Sequence, residues 1–525
     1  MTGTTTTGST DAVGFWRRAP HERDRVAFIE PGIGSMTAGE AYDEVNRISH
    51  GLRALGLGTG SHVAVLMSNS TDLWLLYLAA MQTGMYFTPI NFHFTAPEVE
   101  YILSDADSDV LIVSPEHSEV ARKAADGAGI APDRRFVAGD ATGFRPLREL
   151  TSGQSDGLPD DRIGGQLMQY TSGTTGRPKG VKRPIGSVDA DTAATGLRWI
   201  FDSFGMAPGG DEVWLVAAPM YHTANIGNGS VAVHFGYPVV TMQKWDAEEF
   251  LSIVQAHRVS CTHMVPTQFV RLLKLPDGVR ERYDVGSLRH IIHGAAPCSV
   301  EVKQKTMDWL GPVLYEYYGA TESGATFVTP EEWLRKPGTV GKPFSTTVVK
   351  ALDPEGEEVA TGEIGLLYMK TADYGFEYHK DAEKTERARR GDLITVGDYG
   401  YFDADGYLFL AGRDAEVIIS GGVNIYPSEA EHTLIEHSAV FDVAVIGVPD
   451  DDFGERVHAL VQPAPGVESG PDLERELIAW CRERLAHLKC PKAVEFKDDL
   501  QRDPNGKIAK HKLRAPYWEG RDRAI

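Results

Sequence analysis

The sequence predicts an α/β protein: a large N-terminal domain of doubly wound α/β subdomains carrying a small β-rich subdomain, then a small α+β C-terminal domain. Three observations support this. A chain of 525 residues exceeds what one hydrophobic core organises, so at least two domains are expected. Strand-like and helix-like runs alternate through the first 300 positions, the pattern of doubly wound sheets. From Val340 the texture changes to short strands punctuated by Gly and Asp turns, and beyond Arg413 it returns to mixed α and β. The domains are therefore drawn at 1–413 and 414–525, with about 340–413 as the β-rich subdomain.

Taken in order, the chain opens MTGTTTTGST, which lacks the basic and apolar regions of a secretory signal. About residues 1–12 are expected to be a disordered Thr/Gly-rich tail. Thr37 to Leu55 places Tyr42, Val45, Ile48, Leu52 and Leu55 at spacings of three and four and stops at Gly56, an amphipathic helix with a glycine terminator. HVAVLM (62–67) reads as a strand, DLWLLYLAAMQ (72–82) as a buried helix, and YFTPI (86–90) as a strand. QLMQY (166–170) is a further short strand, followed by a loop and a helical pattern around Leu197, Trp199 and Ile200. VWLVAAPM (213–220) is strand-like, and Asp246 opens a helix with Phe250, Leu251 and Val254 on one face. CTHMVP and HIIHGAAP are apolar runs that end in loops, where ligands of such sheets sit.

Composition narrows the function classes. With 52 basic against 74 acidic residues the formal charge is −22, which argues against general binding to nucleic acid or anionic membranes. No apolar run approaches the roughly 18 residues of a membrane span. Cys261, Cys298, Cys481 and Cys490 show no CxxC pairing and read as ordinary thiols in a reducing, cytoplasmic compartment.

Tyr170 to Val181 reads YTSGTTGRPKGV. Hydroxyl and glycine positions Thr171, Ser172, Gly173, Thr174, Thr175 and Gly176 precede two cations, Arg177 and Lys179. A glycine-rich turn after a strand exposes backbone N–H groups that wrap an anion, and Lys179 adds a mobile charge suited to a polyphosphate. Lys179 is followed by Gly180, so this is not the common phosphate loop. The stretch resembles the signature loop of the acyl-adenylate-forming (AMP-binding) enzymes, which include acyl-CoA synthetases, peptide-synthetase adenylation domains and luciferases.

That resemblance assigns roles elsewhere. In YEYYGATES (315–323) it implies that Tyr318 lies against adenine, Thr321 meets a phosphate and Glu322 holds Mg²⁺. An aromatic face suits a base, and a carboxylate is a hard ligand for a hard cation. In TVGDYGYF (395–402) and AGR (411–413), Asp398 would accept from the ribose hydroxyls with Arg413 in support. Val396 stands where the family has Thr. SGGVNIYPSEAE (420–431) resembles the segment that swings in for thioester formation, with Gly421 and Gly422 admitting the pantetheine arm and Lys489 serving the same step. The family's hinge falls at Asp414 and Ala415, where Ala415 departs from the usual Asp or Lys, and the small C-terminal domain is expected to be mobile. In DPNGKIAKHKLR (503–514), Lys507 would be the catalytic lysine of adenylation. From Lys489 to Arg523 ten Lys or Arg face six Asp or Glu, a local balance suited to ATP and CoA.

The acid-binding side rests on PMYHTANIGNGS (219–230), whose Tyr221 and His222 match the family's aromatic and histidine. His222 would orient or gate the acid; a satisfied core histidine is an equal reading. With Tyr221, Ala224, Asn225, His293, Gly294, Tyr317 and Gly319 would line the acyl pocket, and Ala295 would touch the nucleotide. Small residues (Ala224, Gly227, Gly229, Gly294, Ala295, Ala296) leave volume for a bulky acid but serve helix packing equally. The segment has no carboxylate for a substrate ammonium, which weighs against an amino-acid substrate. Ser172, Thr174, Thr175 and Lys179 would hold the leaving phosphates, with Lys507, Glu322, Thr174 and His222 as the catalytic set. The implied reaction is ligation of a hydrophobic carboxylic acid to CoA using ATP and Mg²⁺, through an acyl-adenylate. Three alternatives stay open: loading of a carrier-protein thiol, specialisation for one half-reaction, and a non-catalytic nucleotide-binding relative.

Overall fold

The structure is a computed structural model that describes residues 12–171, 178–371, 375–502 and 507–519. The expected tail, but for Ala12, lies outside the described residues, as do 172–177 of the signature loop. The chain forms two compact units. The first comprises the described residues up to Met264 with Lys274–Ile292 and those of Asp373–Arg387; the second comprises Val265–Leu273 and the described residues of His293–Ala372 and Ala388–Ile525.

Two large sheets organise the first unit. One runs Arg145–Pro146, Arg135–Val137, Val110–Val113, His62–Leu66, Tyr86–Pro89 and Gln166–Leu167, every neighbour parallel. The other includes Cys261–Met264, Trp214–Val216, Val239–Thr241 and Val26–Glu30 in parallel, closed by antiparallel Gly34–Thr37. The helix Thr71–Gln82 is buried from Leu73 through Gln82 because it serves both sheets. Trp74 stacks on Phe28 of one (6.3 Å between ring centroids) while Tyr77 meets Phe87 of the other edge-on (5.7 Å). A helix apolar on every side is stable only between two such layers. Each large side chain buried there contributes about 1.5–3 kcal/mol.

The amphipathic helix spans Ala38–Ala54, and its start is fixed by a Thr37/Glu40 capping box. Asp246 caps Ala247–His257 by accepting the amides of Glu248 and Glu249. Three spans differ from the sequence reading. QLMQY divides into Gln166–Leu167 and Gln169–Thr171, since the second piece leaves the parallel sheet to pair with Lys179–Lys182. VWLVAAPM keeps only Trp214–Val216 as strand. The helical stretch near Leu197 is two short helices, Ala190–Gly196 and Arg198–Ser203.

In the second unit, Leu314–Gly319, Gly324–Val328 and Lys342–Pro343 are antiparallel neighbours. The β-rich span follows, with Thr347–Leu352, Gly365–Thr371, Asp398–Phe402 and Leu408–Arg413 paired antiparallel around Leu367, Met369 and Leu408. Further on, Val440–Asp450 pairs with Gly454–Pro463, and the latter runs parallel to Ala493–Phe496. Helices Pro427–Ile435 and Pro471–Arg482 contribute Ala430, Leu434, Leu477 and Cys481 to the core of this sheet. Among the described residues no helix is long and apolar enough to cross a membrane.

Candidate active site

In the second unit the alternation of Leu314–Gly319 sends Leu314, Glu316 and Tyr318 inward. Tyr318 Oη donates to Asp398 Oδ2 at 2.7 Å, and Arg413 Nε donates to Asp398 Oδ1 at 2.8 Å. Asp398 and Arg413 face each other because their strands pair in that register. Three motif residues spread over the sequence thus meet at one carboxylate that is only 6% exposed. Burial, and then the Asp398 carboxylate, push the Tyr318 hydroxyl well up, so it stays a donor. Arg413 supplies the opposite charge that a carboxylate so placed requires.

After Tyr318 the pairing with Gly324–Val328 is irregular, and the Ala320 amide donates to the Ser323 carbonyl at 2.8 Å. Gly319, Thr321 and the largely buried Glu322 lie on this turn. Ala295 takes φ 66°, a left-handed conformation that costs a non-glycine residue about 1–2 kcal/mol. Such strain concentrates at ligand sites. Next to it, a Cβ on Gly294 would come within 2.7 Å of the Tyr317 carbonyl oxygen and 2.9 Å of its ring. Gly294 is therefore small so that Tyr317 can pack on it, and leaves no spare volume, a correction to the sequence argument. Gly229 is corrected likewise, since its missing Cβ makes room for Trp74 at 2.6 Å; Gly227 does face open space.

His293, fully buried, meets Phe269 edge-on at 5.3 Å and has Nε2 3.6 Å from Glu316 Oε2. Glu316 is held by Lys303 Nζ at 2.7 Å, a pair the sequence did not announce. Lys303 sits in the helix Val300–Leu310 among other charged residues, and nothing local marks it as the buried one.

The acid-side segment belongs to the first unit. His222 precedes the helix Thr223–Phe235, and Ala224 and Asn225 lie in its first turn. The Tyr221 ring is 4.4 Å from that of His222 and meets Phe92 edge-on at 5.1 Å. Asn225 donates through Nδ2 to the Pro219 carbonyl at 2.9 Å, and its Oδ1 is 2.8 Å from His263 Nδ1. Its polar atoms brace the turn. His263 is buried, which pushes its pKa down to about 4 and keeps it neutral.

Of the signature loop, Ser172, Gly173, Thr174, Thr175 and the side chain of Thr171 lie outside the described residues. Lys179 is described: its Nζ donates to Asp381 Oδ2 at 2.6 Å. In the second unit, Gly421 and Gly422 have φ 58° and 79° and form the two-residue turn of the hairpin Ile418–Ser420/Val423–Ile425. That turn demands left-handed residues whatever passes over it. Lys489 donates to both Glu429 oxygens at 2.9 and 2.6 Å. Asp414 begins a 3₁₀ turn, Asp414–Glu416, with its amide on the Gly397 carbonyl at 2.7 Å; the Ala415 side chain lies outside the described residues. Lys507 is exposed and precedes the helix Lys510–Trp518. Lys510 is clamped between Glu416 (2.7 Å) and Glu431 (2.8 Å); burial opposes its charge and the two glutamates more than restore it.

Comparison with known proteins matches the chain to one family. Residues 15–378 fit the AMP-binding enzyme model and residues 429–507 the AMP-binding enzyme C-terminal domain. A feruloyl-CoA synthase from Amycolatopsis sp is 33% identical over 95% of this chain and 97% of its own. The fatty acid–[acyl-carrier-protein] ligase ScoC of Streptomyces coeruleorubidus is 31% identical over 95% of each. The crystal structure of the anthranilate CoA ligase AuaEII with anthranoyl-AMP superposes with a TM-score of 0.85 at 25% identity, covering 96% of each chain. With family models covering most of the sequence and relatives aligned nearly end to end, the chain belongs to the AMP-binding enzymes, the adenylate-forming ligases.

Proposed function

We propose that this ligase is an ATP-dependent acid–thiol ligase that converts a hydrophobic carboxylic acid to its acyl-adenylate and passes the acyl group to CoA. The convergence of Tyr318 and Arg413 on the Asp398 carboxylate carries the reading. A fixed, charge-balanced carboxylate beside an aromatic ring suits a ribose diol and its base. The relatives named as ligases of ferulate and anthranilate to CoA support a hydrophobic acid and CoA as acceptor.

In the first step a substrate carboxylate oxygen attacks the α-phosphorus of ATP, the bond to the β-phosphate oxygen breaks, and pyrophosphate leaves. Lys179 and the hydroxyls of Ser172, Thr174 and Thr175 in the signature loop hold that leaving group, and Lys507 offsets charge at the reacting centre. In the second step the CoA sulfur attacks the acyl carbon, AMP leaves, and the thiol proton passes to solvent. Glu322, in the turn Ala320–Ser323, carries the hard carboxylate oxygen that would hold Mg²⁺, and such an ion would supply charge neutralisation for the phosphates. Tyr221 and His222 face the acid, with Gly227 as the small residue that has room beside it. The cap begins at Asp414, with Asp414 and Ala415 as its pivot and Gly421, Gly422 and Lys489 serving the thioester step.

A carboxylic-acid panel assayed for AMP release tests this: release is expected to require acid, ATP and CoA together. Lys507→Ala is expected to lose adenylation yet still convert preformed acyl-adenylate to thioester. Equal loss of both steps contradicts the role given to Lys507. A second acceptor is favoured by one observation, the likeness to an acyl-carrier-protein ligase. Turnover with a holo-carrier protein and none with CoA would establish it.

A further inference from the structure

We propose that Asp381 is the counter-ion that sets how tightly Lys179 grips the phosphates of ATP and pyrophosphate, a positioning role that rests on the phosphate-site reading of Lys179 above. The strand Lys179–Lys182 pairs antiparallel with Glu377–Tyr378, and the His379 amide donates to the Gly180 carbonyl at 2.8 Å. This pairing delivers Asp381 to the lysine across 202 positions of sequence. Lys179 Nζ donates to Oδ2 at 2.6 Å. The other oxygen, Oδ1, accepts the Lys384 amide at 3.1 Å, within the first turn of the helix Ala382–Arg387. One carboxylate therefore has two separable jobs: it caps a helix and neutralises a cation.

The setting makes the second job exchangeable. The Lys179 side chain is 15% exposed and that of Asp381 33%, so water reaches the pair and the lysine can change partners. The hydrogen bond from Lys179 holds the Asp381 carboxyl below its usual range, so it remains charged and competes. A phosphate oxygen arriving at Lys179 meets that negative charge and must displace it or tolerate the repulsion. The consequence is a deliberately weakened hold on polyanions. Pyrophosphate, released by adenylation, is the ligand for which a weaker hold matters most, because its departure empties the site.

Asp381→Asn separates the two jobs, since asparagine is as good a helix cap and carries no charge. Titration calorimetry on the full chain with magnesium pyrophosphate, and separately with ATP, is expected to give Kd values about three- to tenfold lower in this variant, with an unchanged melting temperature. Asp381→Ser, a second neutral cap, is expected to behave alike. In a Lys179→Ala background the same replacements should leave Kd unmoved, because the contested cation is gone. Equal or weaker binding by Asp381→Asn overturns the proposal and leaves Asp381 as a cap alone. A gain that persists without Lys179 overturns it too. If the wild-type chain binds neither ligand, the phosphate-site reading of Lys179 itself fails, and the counter-ion role falls with it.

Discussion

Two lysines in this molecule lie almost equally far from a carboxylate, yet their surroundings give them different work. Lys303 meets Glu316 at 2.7 Å with side chains 1% and 8% exposed, under the ring of Trp333 at 4.8 Å. Lys179 meets Asp381 at 2.6 Å with side chains 15% and 33% exposed. In the first pair neither charge has water to turn to, so the contact is permanent and belongs to the fold. In the second, water reaches both partners, so another anion, in our proposal a substrate phosphate, can take the place of the acid. An ion pair is thus a strut or an exchangeable contact according to what covers it, at the same interatomic distance.

The largest expected effect of any single replacement comes from breaking the sealed pair. Lys303→Met leaves the Glu316 carboxylate buried without its cation, and burial already pushes that group's pKa up. Urea denaturation is expected to show a loss of about 3–5 kcal/mol, much of it recovered in Lys303→Met/Glu316→Leu. A loss near zero in the single variant would erase the contrast with Lys179.

Sealed neutral groups sharpen the same contrast through pH. Burial pushes His62, His234 and His263 down to about 4, whereas the unfolded chain protonates near 6.5. Between those values the unfolded state binds more protons, so stability falls as pH drops from about 6.5 towards 4, by up to roughly 3 kcal/mol per histidine. Thermal melting is expected to fall between pH 7 and 5; a flat profile would show that these rings are not held neutral.

The smallest effect belongs to the pair in between. Tyr318→Phe removes one donor from Asp398 while Arg413 stays. ATP affinity is expected to weaken about three- to tenfold with little change in melting. An unchanged Kd would mean that Arg413 alone fixes Asp398.

What the sequence disclosed follows from how far each determinant reaches along the chain. The motif residues Tyr318, Asp398 and Arg413 could be singled out because each sits in a short stretch that resembles a family motif, and the structure brings their side chains together. The buried helix Thr71–Gln82 was legible because it is apolar all round. Lys303 and Asp381 were not, because their partners are chosen by tertiary pairing: Lys303 is one cation in a mixed helix, and Asp381 stands 202 residues from Lys179. Gly294 and Gly229 misled for the same reason, since a glycine looks identical whether it opens a pocket or admits Tyr317 or Trp74. The end of Trp214–Val216 was overestimated because AAPM stays apolar after the ladder stops.

The central claim is that the chain forms an acyl-adenylate reversibly from ATP and a carboxylic acid. Acid-dependent exchange of labelled pyrophosphate into ATP measures that step alone, without CoA. Label is expected to enter ATP only when a hydrophobic carboxylic acid is present, and to stop entering in Lys507→Ala. Binding of ATP with no exchange for any acid in a broad panel would contradict it.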